Sequence, residues 1–119
     1  MTSQIRLLVL GLDGATFDVI DKFKDHELPH LKKFIVNGVR SFLESTLPPI
    51  TAPAWVSFAT GKNPGKTGVF GFTNRTSKDT YQTKPLTSAE FKRAGTFWDY
   101  LSDSGINVGI WNYPRLYPP

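Results

Sequence analysis

"IRLLVLGLDG", residues 5–14, is the stretch of sequence that decides the fold class. The run from Ile5 to Leu12 is almost wholly apolar, which is typical of a strand buried on both faces. Strands of this kind occur in parallel sheets that helices cover on both sides. Asp13 and Gly14 follow at once, and a glycine permits a tight turn. The stretch therefore predicts a buried strand that turns sharply into a helix.

Two helices are predicted after this strand. Phe17, Ile20 and Phe23 recur at the spacing of one helix face. Pro29 suits the first turn of a second helix, because its missing N–H has no helical partner there. "NG" at 37–38 suits the end of that helix, since Asn and Gly tolerate the left-handed conformation.

The rest of the chain continues the alternation. Further strands are predicted at 39–46, "VRSFLEST", and at 106–111, "INVGIW". A helix from near Pro53 to a C-cap at Gly61 lies between them. It is followed by a long loop over 62–86. This order predicts one α/β domain over residues 1–119, with a mostly parallel sheet flanked by helices.

Two local signals refine this outline. The loop at 62–86 carries a short strand signal near "GVFGF", residues 68–72. A loop of that length inside a compact domain is often functional. "TFWD" at 96–99 predicts a capping box, with Thr96 as the N-cap and Asp99 three residues further on.

Composition excludes several classes of function. The chain has 119 residues, 39% of them hydrophobic, and no cysteine, so disulfides and thiolate metal sites are impossible. The net charge is +4, but the basic residues are scattered, which does not favour nucleic acid as a partner. The apolar run at 5–12 is far shorter than the ~20 residues of a membrane span. We expect a cytoplasmic protein without a membrane partner.

Two short motifs resemble known sites only superficially. "HELPH" at 26–30 matches the zinc-protease pattern, which works only inside a helix. Pro29 falls between the two histidines and costs about 3 kcal/mol in a helix interior, so surface histidines are expected instead. "TGKNPGKT" at 60–67 nearly matches a phosphate-binding loop, but Gly61 stands one position too late. We expect this stretch to be the turn that leaves a helix.

Asp13 and Thr51 are the candidate site residues. Ligands of open parallel sheets bind beyond the carboxyl ends of the strands, where the carboxylate of Asp13 suits a divalent metal. A turn-stiffening role for Asp13 remains equally open. Thr51 lies at or just before a helix start, so it is either a plain N-cap or a nucleophile beside the positive helix end.

The combination of motifs resembles one known family. "VLGLDG", "LPHLKKFIVNGVRS" and "LPPITAPAWVSFATGKNPGKTGVFGF" follow in an order that looks like the start of type I phosphodiesterases/nucleotide pyrophosphatases. "GIWNYPRLYPP" is similar to a later strand of those proteins. The family belongs to the alkaline phosphatase superfamily, so the resemblance implies an alkaline-phosphatase-like α/β fold.

The resemblance also implies a site and a reaction. It predicts two divalent metal ions, usually zinc, with manganese or magnesium as alternatives. Asp13 matches a metal ligand, and Thr51 matches a residue that is both nucleophile and metal ligand. The expected substrate is a phosphate ester or a nucleotide-like small molecule. Thr51 would attack phosphorus in line, and water would then hydrolyse the phospho-enzyme.

Several positions depart from the family pattern. Thr67 stands where members often have His. Phe72 stands close to the place of a phosphate-contacting Asn, and Asn74 is out of register. The remaining metal ligands of the family are Asp and His residues that the chain does not match. The sequence is therefore interpreted as the N-terminal part of a longer enzyme, with little or no turnover alone.

Three alternatives remain. The chain could be a non-catalytic binding or assembly domain. It could instead be a phosphomutase, sulfatase-like enzyme or phosphonate hydrolase of the same superfamily. The third alternative is a nucleotide-hydrolysing P-loop protein. A sheet that ends after its early strands also exposes an edge, which predicts a homo-oligomer or other self-association.

Overall fold

The computed structural model describes residues 7–117, and the chain divides into two compact units, Met1–Phe42 and Leu43–Pro119. We describe each unit by itself. The described residues contain six helices and two short strands. In chain order these are α1 (Phe17–Ile20), α2 (Pro29–Asn37), α3 (Thr51–Thr60), α4 (Pro64–Thr67), β1 (Thr73–Arg75), β2 (Thr83–Pro85), α5 (Ala89–Ala94) and α6 (Phe97–Asp103).

The first unit contains the two predicted helices, with one correction at the end of α2. Pro29 is the first residue of α2, as predicted. The helix ends at Asn37, but Gly38 has φ −118° and ψ −160°, so it is extended and not left-handed. A glycine is still required there, because a Cβ on Gly38 would lie 2.8 Å from the Phe34 carbonyl oxygen. The helix predicted from Phe17 is a single turn.

An ion pair ties the end of the first unit to α1. The Arg40 guanidinium donates two hydrogen bonds to the Asp21 carboxylate, at 3.0 and 2.6 Å. The same guanidinium lies 4.0 Å above the centre of the Phe17 ring. Its hydrogen bonds hold the pKa of Asp21 below its usual range. Residues 39–42 are thus held against α1 by side-chain contacts.

The second unit is built around α3. Gly61 has φ +64° and its N–H donates to the Ser57 carbonyl, which confirms it as the left-handed C-cap. One hydrophobic core covers the buried face of the helix. Its buried members come from α3, from the segments on either side of the hairpin, and from the last two helices: Ala52, Val56, Ala59, Val69, Leu86, Phe91 and Trp98.

The segment at 62–86 is more ordered than predicted. It contains α4 and an antiparallel hairpin in which Thr73 pairs with Pro85 and Arg75 with Thr83. The strand predicted near 68–72 was therefore placed too early, because β1 begins at Thr73. Gly68 has φ +74° and ends α4, so this glycine serves a cap and not a strand.

The last two helices follow the hairpin. The capping box of α6 is confirmed, since the Thr96 hydroxyl accepts from the Asp99 N–H while the Asp99 carboxylate accepts from the Thr96 N–H. Sequence interpretation missed α5. Its signal was present in Thr87 and Glu90, whose spacing is that of a capping box. The Glu90 carboxylate accepts from the Thr87 N–H at 3.0 Å.

The capping box of α6 predicts an acid-sensitive contribution to stability. Hydrogen bonds from the Thr96 hydroxyl and N–H hold the pKa of Asp99 below its usual 3.8. A depressed folded-state pKa stabilises the fold above pH 3.8, and this contribution is lost as pH falls through the lower folded value. Urea midpoints should therefore fall less between pH 6 and pH 3 in Asp99→Asn than in the wild type. Asp103→Asn, in the last turn of the same helix, should keep the wild-type loss.

The three segments predicted as strands, of which the first was predicted to be buried on both faces, are not strands in the structure. Residues 7–12, 39–46 and 106–111 have no sheet partner among the described residues. Most of their apolar side chains are exposed, with Leu8 at 88% and Val39 at 97%, whereas Val108 is partly buried against the core. Residues 5 and 6 of the first segment lie outside the described residues. A strand needs a hydrogen-bonded neighbour, which an apolar run cannot supply by itself. The parallel sheet stays a prediction, because the sheet in residues 7–117 has two antiparallel strands.

No helix in the stretch from residue 7 to residue 117 is long and apolar enough to cross a membrane.

Candidate active site

Thr51 is the first residue of α3, and its hydroxyl makes no hydrogen bond within residues 7–117. The helix starts two residues before the expected start near Pro53. The interpretation of Thr51 as a plain N-cap is wrong, because Ile50 holds that position with φ −124° and ψ 150°. Thr51 is partly buried, and its hydroxyl has no hydrogen-bond partner in the part of the chain that the structure describes. The oxygen is thus available for chemistry.

The first turn of α3 offers backbone donors beside this hydroxyl. The N–H groups of Thr51 and Ala52 have no acceptor within residues 7–117, and the helix has no side-chain cap. Pro53 has no N–H, and the Ala54 N–H donates to the Ile50 carbonyl at 3.1 Å. The helix start therefore provides two unpaired donors and the positive end of the helix dipole, which together favour an anion.

The loop before α3 is folded around one carbonyl oxygen. The Thr46 hydroxyl donates to the Pro48 carbonyl at 3.0 Å, and the Ile50 N–H donates to the same oxygen at 2.9 Å. The peptide bond between Leu47 and Pro48 is cis. These contacts define the path by which the Pro-rich loop enters the helix at Thr51.

Tyr113 holds α3 in the second unit. Its hydroxyl donates to the Trp55 carbonyl at 2.6 Å, and the two rings meet edge to face with centres 5.2 Å apart. Burial raises the pKa of the Tyr113 phenol, which therefore stays protonated at neutral pH. The buried faces of Val56 and Ala59 complete the attachment. Thr51 is thus carried by a helix that is fixed about one turn further along.

"TGKNPGKT" is not a phosphate-binding loop. It starts at the end of α3 and continues into α4, whereas a phosphate-binding loop joins a strand to a helix. The Asn63 side chain caps α4 by accepting from the Lys66 N–H at 3.0 Å. The Lys62 ammonium donates to the Ala94 carbonyl. The prediction of a turn leaving the helix is confirmed.

An open cavity of about 680 Å³ lies at the other end of α3. It is lined by Glu44, Ser45, Thr46, Leu47, Ser57 and residues 61–65. The Ser57 hydroxyl is buried and has no hydrogen-bond partner in the described part of the chain. Thr51 does not line this cavity, so the cavity and the start of α3 are different places in the second unit.

Asp13 lies in the turn that follows the apolar segment at 7–12. It is exposed, and the turn is closed by the Thr16 N–H, which donates to the Gly14 carbonyl at 2.9 Å. Gly14 has φ +71°, which confirms the predicted tight turn. Within residues 7–117, no three or more acidic or histidine side chains are grouped closely enough to hold a metal ion. Asp13 belongs to the first unit and Thr51 to the second, so their use of a common metal stays a prediction.

The histidines of "HELPH" do not form a helical pair. Pro29 begins α2, His30 is its second residue, and His26 lies in the preceding turn. The zinc-protease motif is therefore absent, as predicted.

The positions that depart from the family pattern have structural contacts. Thr67 is 3% exposed at the end of α4. The Asn74 amide donates to the Glu90 carboxylate at 3.4 Å and so links β1 to α5. The Phe72 ring is 47% exposed and lies under the guanidinium of Arg115. Tyr113 and Arg115 had no sequence signal, because their side-chain hydrogen bonds join residues that lie 58 and 29 positions apart.

Comparison with known proteins gives one match. Residues 7–119 match the family of type I phosphodiesterases / nucleotide pyrophosphatases. No curated protein and no solved structure matches the chain. The match covers nearly the whole sequence, including the segments that carry Asp13 and Thr51. The chain therefore belongs to the type I phosphodiesterase / nucleotide pyrophosphatase family.

Proposed function

We propose that this chain contributes the nucleophile to a metal-dependent phosphoric ester hydrolase, and that Thr51 is that nucleophile. Membership of the family implies phosphodiesterase- or pyrophosphatase-type hydrolysis and an alkaline-phosphatase-like α/β fold. The observation that carries the assignment is the unpaired Thr51 hydroxyl on the first residue of a ten-residue helix. A hydroxyl without a structural partner, next to unpaired N–H groups, is placed to react with an anionic ester.

The proposed reaction has two steps. The Thr51 oxygen gives its proton to water and attacks phosphorus, forming a new P–O bond while the bond to the leaving alcohol breaks. The leaving oxygen takes the electron pair. Water then attacks the phosphothreonine and restores the hydroxyl. The N–H groups of Thr51 and Ala52 would donate to the non-bridging phosphoryl oxygens, where negative charge must be stabilised.

Divalent metal ions are implied by the family, which is generally dependent on them. Bound at this site, they would lower the pKa of the attacking hydroxyl and stabilise the leaving oxygen. Asp13 and Thr51 supply oxygen ligands of the kind that fit such ions, with zinc as the proposed metal. Two zinc ions need about four ligands each, so these two residues supply only part of the set. We therefore propose little turnover by this chain alone.

Metal dependence is the test of this function. Hydrolysis of an aryl phosphodiester should require Zn²⁺ or Mn²⁺ and should be lost on chelation, in whichever form of the protein shows turnover. Asp13→Asn should raise the Zn²⁺ concentration for half-maximal activity by about 100-fold, because loss of even an outer-shell partner costs 10–100-fold. Calorimetric Zn²⁺ titration measures the same shift without turnover.

Asp18→Asn is the matched control for Asp13→Asn. Asp18 is also exposed and acidic in the first unit, but no motif assigns it to the site. It should leave the Zn²⁺ dependence unchanged. Full activity in the presence of a chelator would overturn the metal assignment. An equal shift of the Zn²⁺ concentration in both variants would show that Asp13 acts only through its negative charge and not as a metal ligand.

The second candidate function is a non-catalytic binding or assembly domain. The observation that favours it is the absence of a group of three metal-binding side chains within residues 7–117. Zn²⁺ titration separates the two candidates, because tight stoichiometric binding to this chain would show a completed site. Phosphomutases, sulfatase-like enzymes and phosphonate hydrolases share the arrangement of a hydroxyl nucleophile, here Thr51, and an acidic metal ligand, here Asp13. These activities are therefore alternatives to the proposed hydrolysis of a phosphate ester. The cytoplasmic location stays a prediction.

A further inference from the structure

Arg115 occupies a backbone position that glycine would fill more easily. It is the third residue of a turn that the Leu116 N–H closes on the Tyr113 carbonyl at 3.4 Å, with Pro114 as the second residue. Its φ is +67°, in the left-handed region. Turns of this kind take Pro at the second position and normally Gly at the third. An arginine at such a position indicates that its side chain has a use that offsets the backbone strain.

The positive charge of this side chain has no counter-ion among residues 7–117. Arg115 is partly buried, and its Nη2 donates to the Leu86 carbonyl at 2.9 Å. Its guanidinium lies 5.7 Å from the centre of the Phe72 ring. Neither contact brings a negative charge. The ion pairs in the described residues are Asp21–Arg40 and Asp25–Lys32, both in the first unit.

One donor of the guanidinium is also unsatisfied. The Arg115 Nε is buried and has no hydrogen-bond partner among the described residues. Buried polar groups of folded proteins nearly always have a partner, so an orphaned donor on a charged group needs an explanation. Guanidinium has five N–H donors in a planar fork that matches the oxygens of phosphate. A tetrahedral oxyanion would supply both the missing charge and the missing acceptor.

We propose that Arg115 is the cationic group of an oxyanion-binding site in the second unit, which takes inorganic phosphate or the phosphoryl group of an ester. The Nε is covered in this structure, so binding includes a rotation of the side chain that brings Nε to the anion. The site goes beyond the proposed hydrolysis, because it requires neither metal nor attack by Thr51.

Phosphate titration of metal-free protein tests this site. Inorganic phosphate and phenyl phosphate are titrated separately by calorimetry and by ³¹P NMR, with chelator present and the ionic strength held constant. We expect saturable binding with a Kd of about 1 mM or lower. Arg115→Gly should weaken it about tenfold or more, since it removes a charge-assisted donor while suiting the positive φ. The ligand that binds more tightly identifies the natural source as free phosphate or ester.

Two further variants keep the test decisive. Arg115→Asn also tolerates a positive φ and removes the charge, so it replaces Arg115→Gly if that variant does not fold. Arg93→Gln is the control, because Arg93 also donates to a backbone carbonyl, that of Thr67, but is exposed. It should bind phosphate as the wild type does.

The proposal is overturned if wild-type protein shows no saturable binding, if the neutral Arg115 variants bind equally well, or if Arg93→Gln weakens binding as much. Phosphate binding is measured on metal-free protein, whereas hydrolysis is measured with metal present. Failure of the hydrolase proposal would therefore be seen separately from failure of this one.

Discussion

Replacing Thr51 by alanine is expected to lower kcat/KM for an aryl phosphodiester by about 10³-fold or more, in any form of the protein that shows metal-dependent turnover. The substitution removes the oxygen that is proposed to form the covalent bond to phosphorus. The measurement is the initial rate of aryl alcohol release with Zn²⁺ or Mn²⁺ present. Thr51→Ser keeps the hydroxyl and should retain a measurable rate.

Ser57→Ala is the matched control for this substitution. Ser57 lies on the same helix, and its hydroxyl also has no hydrogen-bond partner within residues 7–117. Its removal should leave kcat/KM within about threefold of the wild type, because Ser57 has no proposed contact with the reacting atoms. Activity that survives Thr51→Ala would contradict the assignment of Thr51 as the nucleophile. So would an equal loss in Ser57→Ala, since a general disturbance of α3 would then explain both.

Measuring the free energy of unfolding distinguishes a chemical role of Thr51 from a structural role. Its hydroxyl accepts and donates no hydrogen bond in the described residues, and Ile50 is the N-cap. Thr51→Ala should therefore change the free energy of unfolding by no more than about 0.5 kcal/mol. A capping threonine behaves differently. Thr96→Ala should cost about 1 kcal/mol, because the Thr96 hydroxyl satisfies the Asp99 N–H.

The elements that the sequence predicted correctly are those fixed by local sterics. Pro29 begins α2 because its ring and missing N–H suit a first turn. Gly61 ends α3 because it adopts a positive φ without strain. Thr96 and Asp99 cap α6 through atoms only three residues apart. In each case the deciding interactions lie within one turn of the chain, so a short sequence window contains them.

The strands that the sequence placed wrongly depend on distant partners. A strand at 7–12 or 106–111 requires a neighbouring strand, and apolar periodicity does not reveal whether one is present. The hairpin begins at Thr73 because of its pairing with Pro85, not because of the apolar side chains at 68–72. In the candidate site, the assignment of Thr51 as the nucleophile stays a prediction from the sequence. The attachment of its helix through Tyr113 spans 58 residues, and no local pattern indicates it.

The isolated chain is expected to self-associate through its unpaired apolar segments. Leu7 and Leu8 are 84% and 88% exposed, and Val39 and Trp111 are 97% and 95% exposed. Residues 7–11 also have backbone N–H and C=O groups without backbone partners among the described residues. Extended apolar segments with free backbone groups pair with other chains, because pairing satisfies the backbone and removes apolar surface from water. Light scattering during size-exclusion chromatography should show species larger than a monomer.

Charge at the pairing segment should reduce this association. Leu8→Lys places an ammonium group where a second chain would pair, and an edge lysine opposes such pairing. We expect the concentration for half-association to rise about tenfold or more. Leu47→Lys is the matched control, because Leu47 is 84% exposed but lies in the loop before α3. It adds the same charge outside the predicted strands and should change association little. A monodisperse wild-type monomer, or an equal effect of both lysine substitutions, would show that the chain does not associate by strand pairing of these segments.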